Sequence, residues 1–437
     1  MSGATLLPIA IGSKAPPASA ALPHAHLQPG VAVSLLPLVV VLVAAVILQR
    51  FAVPLAASQL GIGLVLGLLV AGWGALSGRL IVAPPRFVLF CVVLAAVITS
   101  LVLAGQTFSL LSLAMFCLLY LPFVLVLPLG AADYRRLLGH FQTLALLVAG
   151  SALVQFLVQF VLGASWMFPF DRLLPEPVFI PGFNMVIELG GGIVKATGLW
   201  LLEPSHLSQL MAIAIIVESA WFRRPLVLAA LATGLLLAFS GTGLVLLAVF
   251  LPVLLIRSGR GGWLAGGLVL GAAAIWASAD IFPVDYFLAR LGEFANPQAS
   301  ASMRFFGPYW AVADVFAGRP DLLLTGVGPG GMADAVWHFD YAVQDSSWLK
   351  LVVEYGLIGA LPFAVFYGYC LFVGCPDRLL AVALLFQVLF LGGFLLGYHV
   401  QFLLLALVVW PRLEQPPVAG AGPMPRDVSL TFADGPA

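Results

Sequence analysis

Charge is what this chain lacks most. Asp, Glu, Lys and Arg make up only 9% of its 437 residues, where an ordinary soluble domain carries roughly 25%. So few charges cannot cover a water-facing surface, which excludes a solvated globular fold. What charge exists cancels, with 19 basic against 19 acidic residues. A chain without a basic excess lacks the electrostatic footprint of a nucleic-acid binder. Cysteine is scarce too. Cys91, Cys117, Cys370 and Cys375 lie in or beside apolar runs without metal-ligand spacing, so neither a disulfide framework nor a zinc site is expected, and no cofactor motif is visible. Heptad, solenoid and inverted repeats are missing, and ionisable residues are rare in the middle of the apolar runs. Both absences weigh against a secondary transporter or proton pump, which use paired halves or charges at mid-depth.

What is there is apolar: 62% of the residues are hydrophobic. A bilayer core takes close to 20 helical residues per crossing, because lipid leaves backbone groups no other partner. About twelve segments qualify, over 31–48, 55–76, 87–104, 108–130, 140–163, 204–220, 225–239, 242–256, 263–280, 347–373, 379–394 and 396–411. The run 225–256 is too long for one crossing, and Ser240-Gly241-Thr242-Gly243 in its middle reads as a turn. The expected fold class is therefore all-α: a polytopic integral membrane protein of about twelve transmembrane helices, with a large periplasmic loop before the last three. Residues 1–30 are rich in Ala and Pro and lack the basic-then-apolar order of a signal peptide. They are expected to be a disordered cytoplasmic tail, as are 412–437, on either side of a membrane domain at 31–411.

Basic residues orient the chain. With the N-terminus in the cytoplasm of a bacterial inner membrane, most of them fall in cytoplasmic segments, among them Arg79, Arg86, Arg135, Arg136, Arg223, Arg224, Arg378 and Arg412. The long loops at about 164–203 and 281–346 then face the periplasm. Membrane proteins spend little sequence on loops without a task.

Three constellations in or beside these loops could carry chemistry. The first is Arg304-Phe305-Phe306-Gly307-Pro308-Tyr309-Trp310, followed by Gly318-Arg319-Pro320 and Gly326-Val327-Gly328-Pro329-Gly330. Guanidinium forks bind phosphate bidentately, and glycines let backbone approach a ligand. No Gly-Lys-Ser/Thr follows, so this is no P-loop. The bland alternative is solvated arginines and glycine turns. The second is Glu203-Pro204-Ser205-His206: either a helix start with capping groups, or a carboxylate base supported by an imidazole. The third is Gln344-Asp345-Ser346-Ser347-Trp348, where Asp345 or Ser346 is either an N-cap or a catalytic group. Arg290, Lys195 and His338 are further loop candidates. His399 lies between the last two segments at the same face.

Over roughly 203–363 the chain resembles the bacterial O-antigen ligases and the O-antigen or exopolysaccharide repeat-unit polymerases. The resemblance rests on three stretches in this order: Ser240-Gly241-Thr242-Gly243; Arg304, Trp310, Pro320 and Gly326-Val327-Gly328; and the Leu349-to-Gly359 stretch with Glu354 and Gly356. Ligases typically carry His-Asn before that last helix; here the position reads Asp345-Ser346, or Gln344-Asp345 with a one-residue slip, and Glu203-Pro204-Ser205 resembles an element of the polymerases of secreted polysaccharides, so the resemblance favours a polymerase over a ligase. The resemblance implies a membrane glycosyltransferase that takes a glycan from undecaprenyl diphosphate, with inversion and without metal or cofactor. Its acceptor is the non-reducing-end sugar of another lipid-linked unit. In that reading Arg304, Glu203 and Asp345 are catalytic, and Arg319, Arg290, Lys195, His206 and His338 bind substrate. Flippase and chain-length or export proteins are the implied partners. The alternatives are a ligase acting on lipid A-core or another acceptor, and a lipid-linked oligosaccharide flippase.

Overall fold

The computed structural model describes residues 34–55, 58–105, 108–180, 187–190, 193–257, 259, 296 and 298–413. Both expected tails, the segment 263–280 and Arg290 lie outside the described residues.

The chain is predominantly helical, and it is a membrane protein. Four helices are long and apolar enough to cross a bilayer: Pro84–Ala104, Ala131–Val161, Pro204–Phe222 and Ser347–Phe372. Seven shorter apolar helices accompany them. In chain order the helices are α1 (Leu36–Val46), α2 (Ile62–Leu76), α3 (Pro84–Ala104), α4 (Leu110–Tyr120), α5 (Ala131–Val161), α6 (Phe170–Leu173), α7 (Pro204–Val217), α8 (Pro225–Leu237), α9 (Gly241–Arg257), α10 (Ser300–Phe305), α11 (Gly307–Phe316), α12 (Pro320–Thr325), α13 (Met332–Val336), α14 (Ser347–Phe372), α15 (Arg378–Phe390) and α16 (Tyr398–Leu404). Proline opens α3, α7 and α8, where a missing N–H leaves no helical bond unmade. Asp377 caps α15 by accepting from the Leu379 and Leu380 amides. The run 225–256 divides after Leu237, and of the expected turn only Ser240 lies between the helices, Gly241-Thr242-Gly243 opening α9.

Short strands modify the all-α expectation. β1 (Ala52–Leu55) and β2 (Ser58–Gly61) form a hairpin in front of α2, and β5 (Glu188–Gly190) pairs with β6 (Ile193–Val194). β3 (Ile81–Val82), β4 (Leu125–Leu129) and β7 (Pro411–Leu413) make one three-stranded sheet. The segment 108–130 is therefore not one helix. It stops at Tyr120, makes a 3₁₀ turn over Leu121–Val124 and continues as β4. Pro122 cannot donate a helical bond, and the edges of β3 and β7 supply the partners that the helix would have supplied.

Arg86 ties this end together. It is 2% exposed, and its Nη1 donates to the carbonyls of Phe123, Leu125 and Val409 at 3.1, 3.0 and 3.1 Å. Nη2 reaches the Cys370 carbonyl at 3.3 Å. These carbonyls lie where the chain leaves regular helix, so one guanidinium meets several orphan acceptors at once. Close by, the buried Glu218 carboxylate is held by the Arg224 guanidinium and backbone amide, and Trp221 donates to Asp377. The starts of α3, α5, α8 and α15 and the ends of α7 and α14 meet here, with most of the described arginines. The opposite ends of those helices carry the long connections. There α11 and α13 pack on the first turns of α14 through Ala311, Met332, Leu349 and Val353.

Candidate functional site

The site is built around a break in a helix. Within α14, Gly356 has φ 59° and ψ −176°, so two helices meet end to end. The carbonyls before the break need new donors, since none can be left bare in a bilayer. The glycine run provides them: the Val327 amide donates to Val353 O at 2.8 Å and the Gly328 amide to Glu354 O at 3.0 Å. The Ser100 hydroxyl, from α3, reaches Tyr355 O at 3.0 Å and also contacts the Thr325 carbonyl. The fit requires two glycines back to back. A Cβ on Gly326 would lie 2.5 Å from Glu354 O, and one on Gly356 would lie 2.3 Å from Leu324 O. Two motifs separated in the sequence thus form one junction, which fixes the N-terminal half of α14.

That half-helix carries Lys350 and Glu354. Glu354 is fully buried, and Lys350 Nζ is 3.3 Å from its Oε1 and 3.8 Å from Asp345 Oδ2. One ammonium is thus shared by two carboxylates. The Asp345 side chain keeps 51% of its exposure. Even so, desolvation by the surrounding protein pushes its carboxyl above the usual aspartate range, while Lys350 pulls the other way.

Asp345 leads to a second cluster. It abuts Gly393, where a Cβ would lie 2.7 Å from Asp345 Oδ1, and the Ser347 hydroxyl donates to Gly392 O at 3.3 Å. This bend, 391–397, follows α15 and carries Phe394. The rings of His206 and His399 pack on Phe394 at 5.5 and 5.7 Å and stand 4.7 Å from each other. His206 belongs to the first turn of α7, and Glu203 is the residue in front of it. The Glu203 side chain makes no capping bond to the helix; it accepts from the Ser205 hydroxyl at 2.7 Å. Glu203 also acts electrostatically on His399, and Arg304 and Arg50 act on His206. Arg304 sits at the end of α10, beside Met303, whose carbonyl accepts from the Gln344 amide at 3.1 Å.

Arg50 was not distinguishable in the sequence from any other loop arginine. It is 3% exposed, donates to Thr197 Oγ1 at 3.0 Å and stacks over Phe168 at 5.1 Å. Gln155, reaching out of α5, holds the same turn by accepting from the Thr197 and Leu199 amides. The serine-glycine step between α8 and α9 also packs here: Ser208 donates to Ser240 O at 3.0 Å, and Thr242 donates to Ser205 O at 3.4 Å.

Among the sequence candidates, His206 packs on Phe394 and Asp345 abuts Gly393 of the 391–397 bend, while Arg304 and Glu203 lie within electrostatic reach of His206 and His399. Arg319 forms a bidentate pair with Asp321 on the surface, both side chains more than half exposed. His338 is exposed, with ring contacts to Trp337 and Phe339. Lys195 follows β6, two residues before Thr197. Among the described residues, no group of three His, Cys, Asp or Glu is arranged to hold a metal ion.

Two cavities flank the cluster. One, of about 20 Å³, is lined by His206, His399, Gln49 and Gln387, room for roughly a single water. The other is about 400 Å³ and lies beside Asp345 and Lys350. Only the second has the volume of a small-molecule site. Searches against protein-family models, curated proteins and solved structures find no match to this chain.

Proposed function

We propose that the protein is a polysaccharide repeat-unit polymerase: a membrane glycosyltransferase acting on glycans carried by undecaprenyl diphosphate. The convergence of guanidinium, carboxylate and imidazole groups at one end of an apolar helix bundle carries this reading. Such a site suits a substrate with a diphosphate, a sugar and a lipid. The resemblance carried by the 240–243, 304–328 and 349–359 stretches points to the same chemistry. In this reading all twelve segments cross a bacterial inner membrane, both termini are cytoplasmic, and the site opens to the periplasm.

In the reaction, an acceptor hydroxyl oxygen forms a bond to the anomeric carbon of the donor glycan. The bond from that carbon to the diphosphate oxygen breaks, and its electron pair leaves with the carrier diphosphate. The hydroxyl proton goes to a carboxylate. Arg304 and Arg50 stabilise the negative charge that grows on the leaving group. Asp345 takes the proton; its raised pKa brings its basicity closer to neutrality than that of an ordinary aspartate. Glu203, held by Ser205, orients the sugar or shares the proton-accepting role. In-line displacement inverts the anomeric centre.

The test is the purified protein incubated with lipid-linked repeat units, with product sized by electrophoresis. Wild-type protein should yield a ladder of polymer. Arg304→Ala should lower the rate by about 10²–10³-fold, the loss typical of one donor to a developing negative charge. Glu203→Gln separates a base from a mere helix start: a strong loss supports the former and wild-type activity the latter. Single glycans transferred to another acceptor, with no ladder, would replace the polymerase with a ligase. Substrate moved across the bilayer without transfer would replace both with a flippase.

A further inference from the structure

The lining of the smaller cavity specifies an occupant. The space measures about 20 Å³, the size of one water molecule. Four polar side chains line it: Gln49 just beyond α1, His206 in the first turn of α7, Gln387 on α15 and His399 in the first turn of α16. Each has one buried polar atom without a hydrogen-bond partner, namely Gln49 Oε1, His206 Nδ1, Gln387 Oε1 and His399 Nε2. Buried polar atoms are rarely left bare, and four on side chains around one small space point to a shared partner.

The other bonds of the two amides fix their orientation. Leu391 O can only accept, and it takes a bond from Gln209 Nε2 at 3.1 Å. Gln209 Oε1 is then the acceptor for Gln387 Nε2 at 2.9 Å, which leaves Gln387 Oε1 unused. Gln49 Nε2 likewise donates to the Ala45 carbonyl at 2.6 Å. Both glutamines therefore offer an oxygen, which can only accept. A water molecule has two protons to give and two lone pairs to share. If its protons go to the two amide oxygens, its lone pairs receive an N–H from each imidazole. Any other arrangement leaves one of the four atoms unpaired. Four bonds is the upper end of the usual range for a buried water. A bound cation would demand the reverse, a bare nitrogen on both rings.

We propose that this cavity binds one water molecule and that this water sets the histidine tautomers, with the proton of His206 on Nδ1 and that of His399 on Nε2. Each neutral ring then keeps a bare nitrogen on its far side as a hydrogen-bond acceptor. The rings stand 4.7 Å apart, so one molecule serves both. The same water ties in Gln49, which directly precedes Arg50, and so links the turn before that guanidinium to α7, α15 and α16. The four side chains are positioning residues in this arrangement, and the assignment is independent of the glycosyl-transfer reading.

The test is nitrogen NMR of the full-length protein in lipid nanodiscs, with the rings of its six histidines isotope-labelled and a chelator present. Spectra are recorded at a pH of about 8.5, roughly two units above the ordinary histidine value. His206→Asn and His399→Asn assign the signals. Protonated and bare ring nitrogens resonate far apart, so each tautomer is read directly. The expected result is a protonated Nδ1 on His206, a protonated Nε2 on His399, and a through-space contact from each to a water proton. Either proton on the opposite nitrogen overturns the proposal, and both reversed would mark a cation site instead. Absence of the water contact overturns it as well. Gln387→Met removes one acceptor and should strip the inner proton from at least one ring; wild-type tautomers in that variant break the link to the water. Gln142→Met is the control, since Gln142 is buried with an unpartnered Oε1 of its own but is not in the lining of this cavity. Both tautomers should persist there, and an equal change in the two variants would remove the cavity's role. No substrate enters the measurement, so its failure and that of the polymerase assay are told apart.

Discussion

Asp345 shows how a residue's surroundings decide its role. In the sequence it reads more readily as a helix cap than as a catalytic group. In the structure Ser346 holds the N-cap position of α14, and Asp345 projects between a cavity and a glycine bend. Its carboxyl is pushed above the usual range by desolvation and pulled down by Lys350. The sign follows for catalysis: a base works when deprotonated, so activity rises with pH through this raised pKa. The acidic limb of the pH–rate profile should therefore lie above the ordinary aspartate value of about 4. Lys350→Gln should move that limb to higher pH, because the opposing cation is gone. A limb that stays in place would separate Asp345 from the rate. For stability the sign is the opposite of a salt-bridged aspartate. A carboxyl whose folded pKa is raised destabilises the fold once ionised, so its contribution falls as pH rises through that pKa. Arg319 is the contrasting case. An aspartate two residues away engages it locally, a pairing that sequence proximity alone makes plausible, and a screened surface pair contributes little.

Helix α14 carries the second lesson. It reads in the sequence as one long apolar segment, yet Gly356 divides it and the 326–328 turn seals the gap. Only glycine has room at both contact points and tolerates φ of 59° and 73°. Gly356→Ala should lower thermal stability by several degrees, as about 1–3 kcal/mol of backbone strain and a clash imply, and should abolish polymer formation. Gly368→Ala on the same helix is the control: a Cβ there meets nothing within 4 Å, so stability should hold or improve slightly. Equal behaviour of the two variants in a melting experiment would show that the junction does not organise α14.

The described residues of the helical unit that begins at Leu35 are polarised. One end gathers Arg86, Arg135, Arg136, Arg223, Arg224, Arg378 and Arg412 around short strands and helix starts. The other gathers the long connections and the candidate site. If the charge bias reflects membrane orientation, a periplasm-active phosphatase fused after residue 338 should be active and one fused after residue 136 inactive. The reverse pattern would place the site in the cytosol and remove the carrier-lipid reading altogether. Arg86 qualifies the charge argument. It is one of the basic residues that orient the chain, but it is buried against four carbonyls, so it organises backbone instead of facing headgroups.

Apolar runs and small-residue breaks are local signals, set by neighbours within one turn or one crossing. For that reason the membrane class, the predominance of helix and a break in the apolar run 225–256 close to Ser240 were legible in the residues themselves. The end of α4 was not, because β4 exists only where β3 and β7, far away in the chain, offer their edges. The site lay further beyond reach. Asp345, His206 and His399 meet through packing on the 391–397 bend, and Arg50 is held by a turn pinned by Gln155. A residue type announces what it can bind, whereas its actual neighbours across a hundred or more positions depend on how the helices pack.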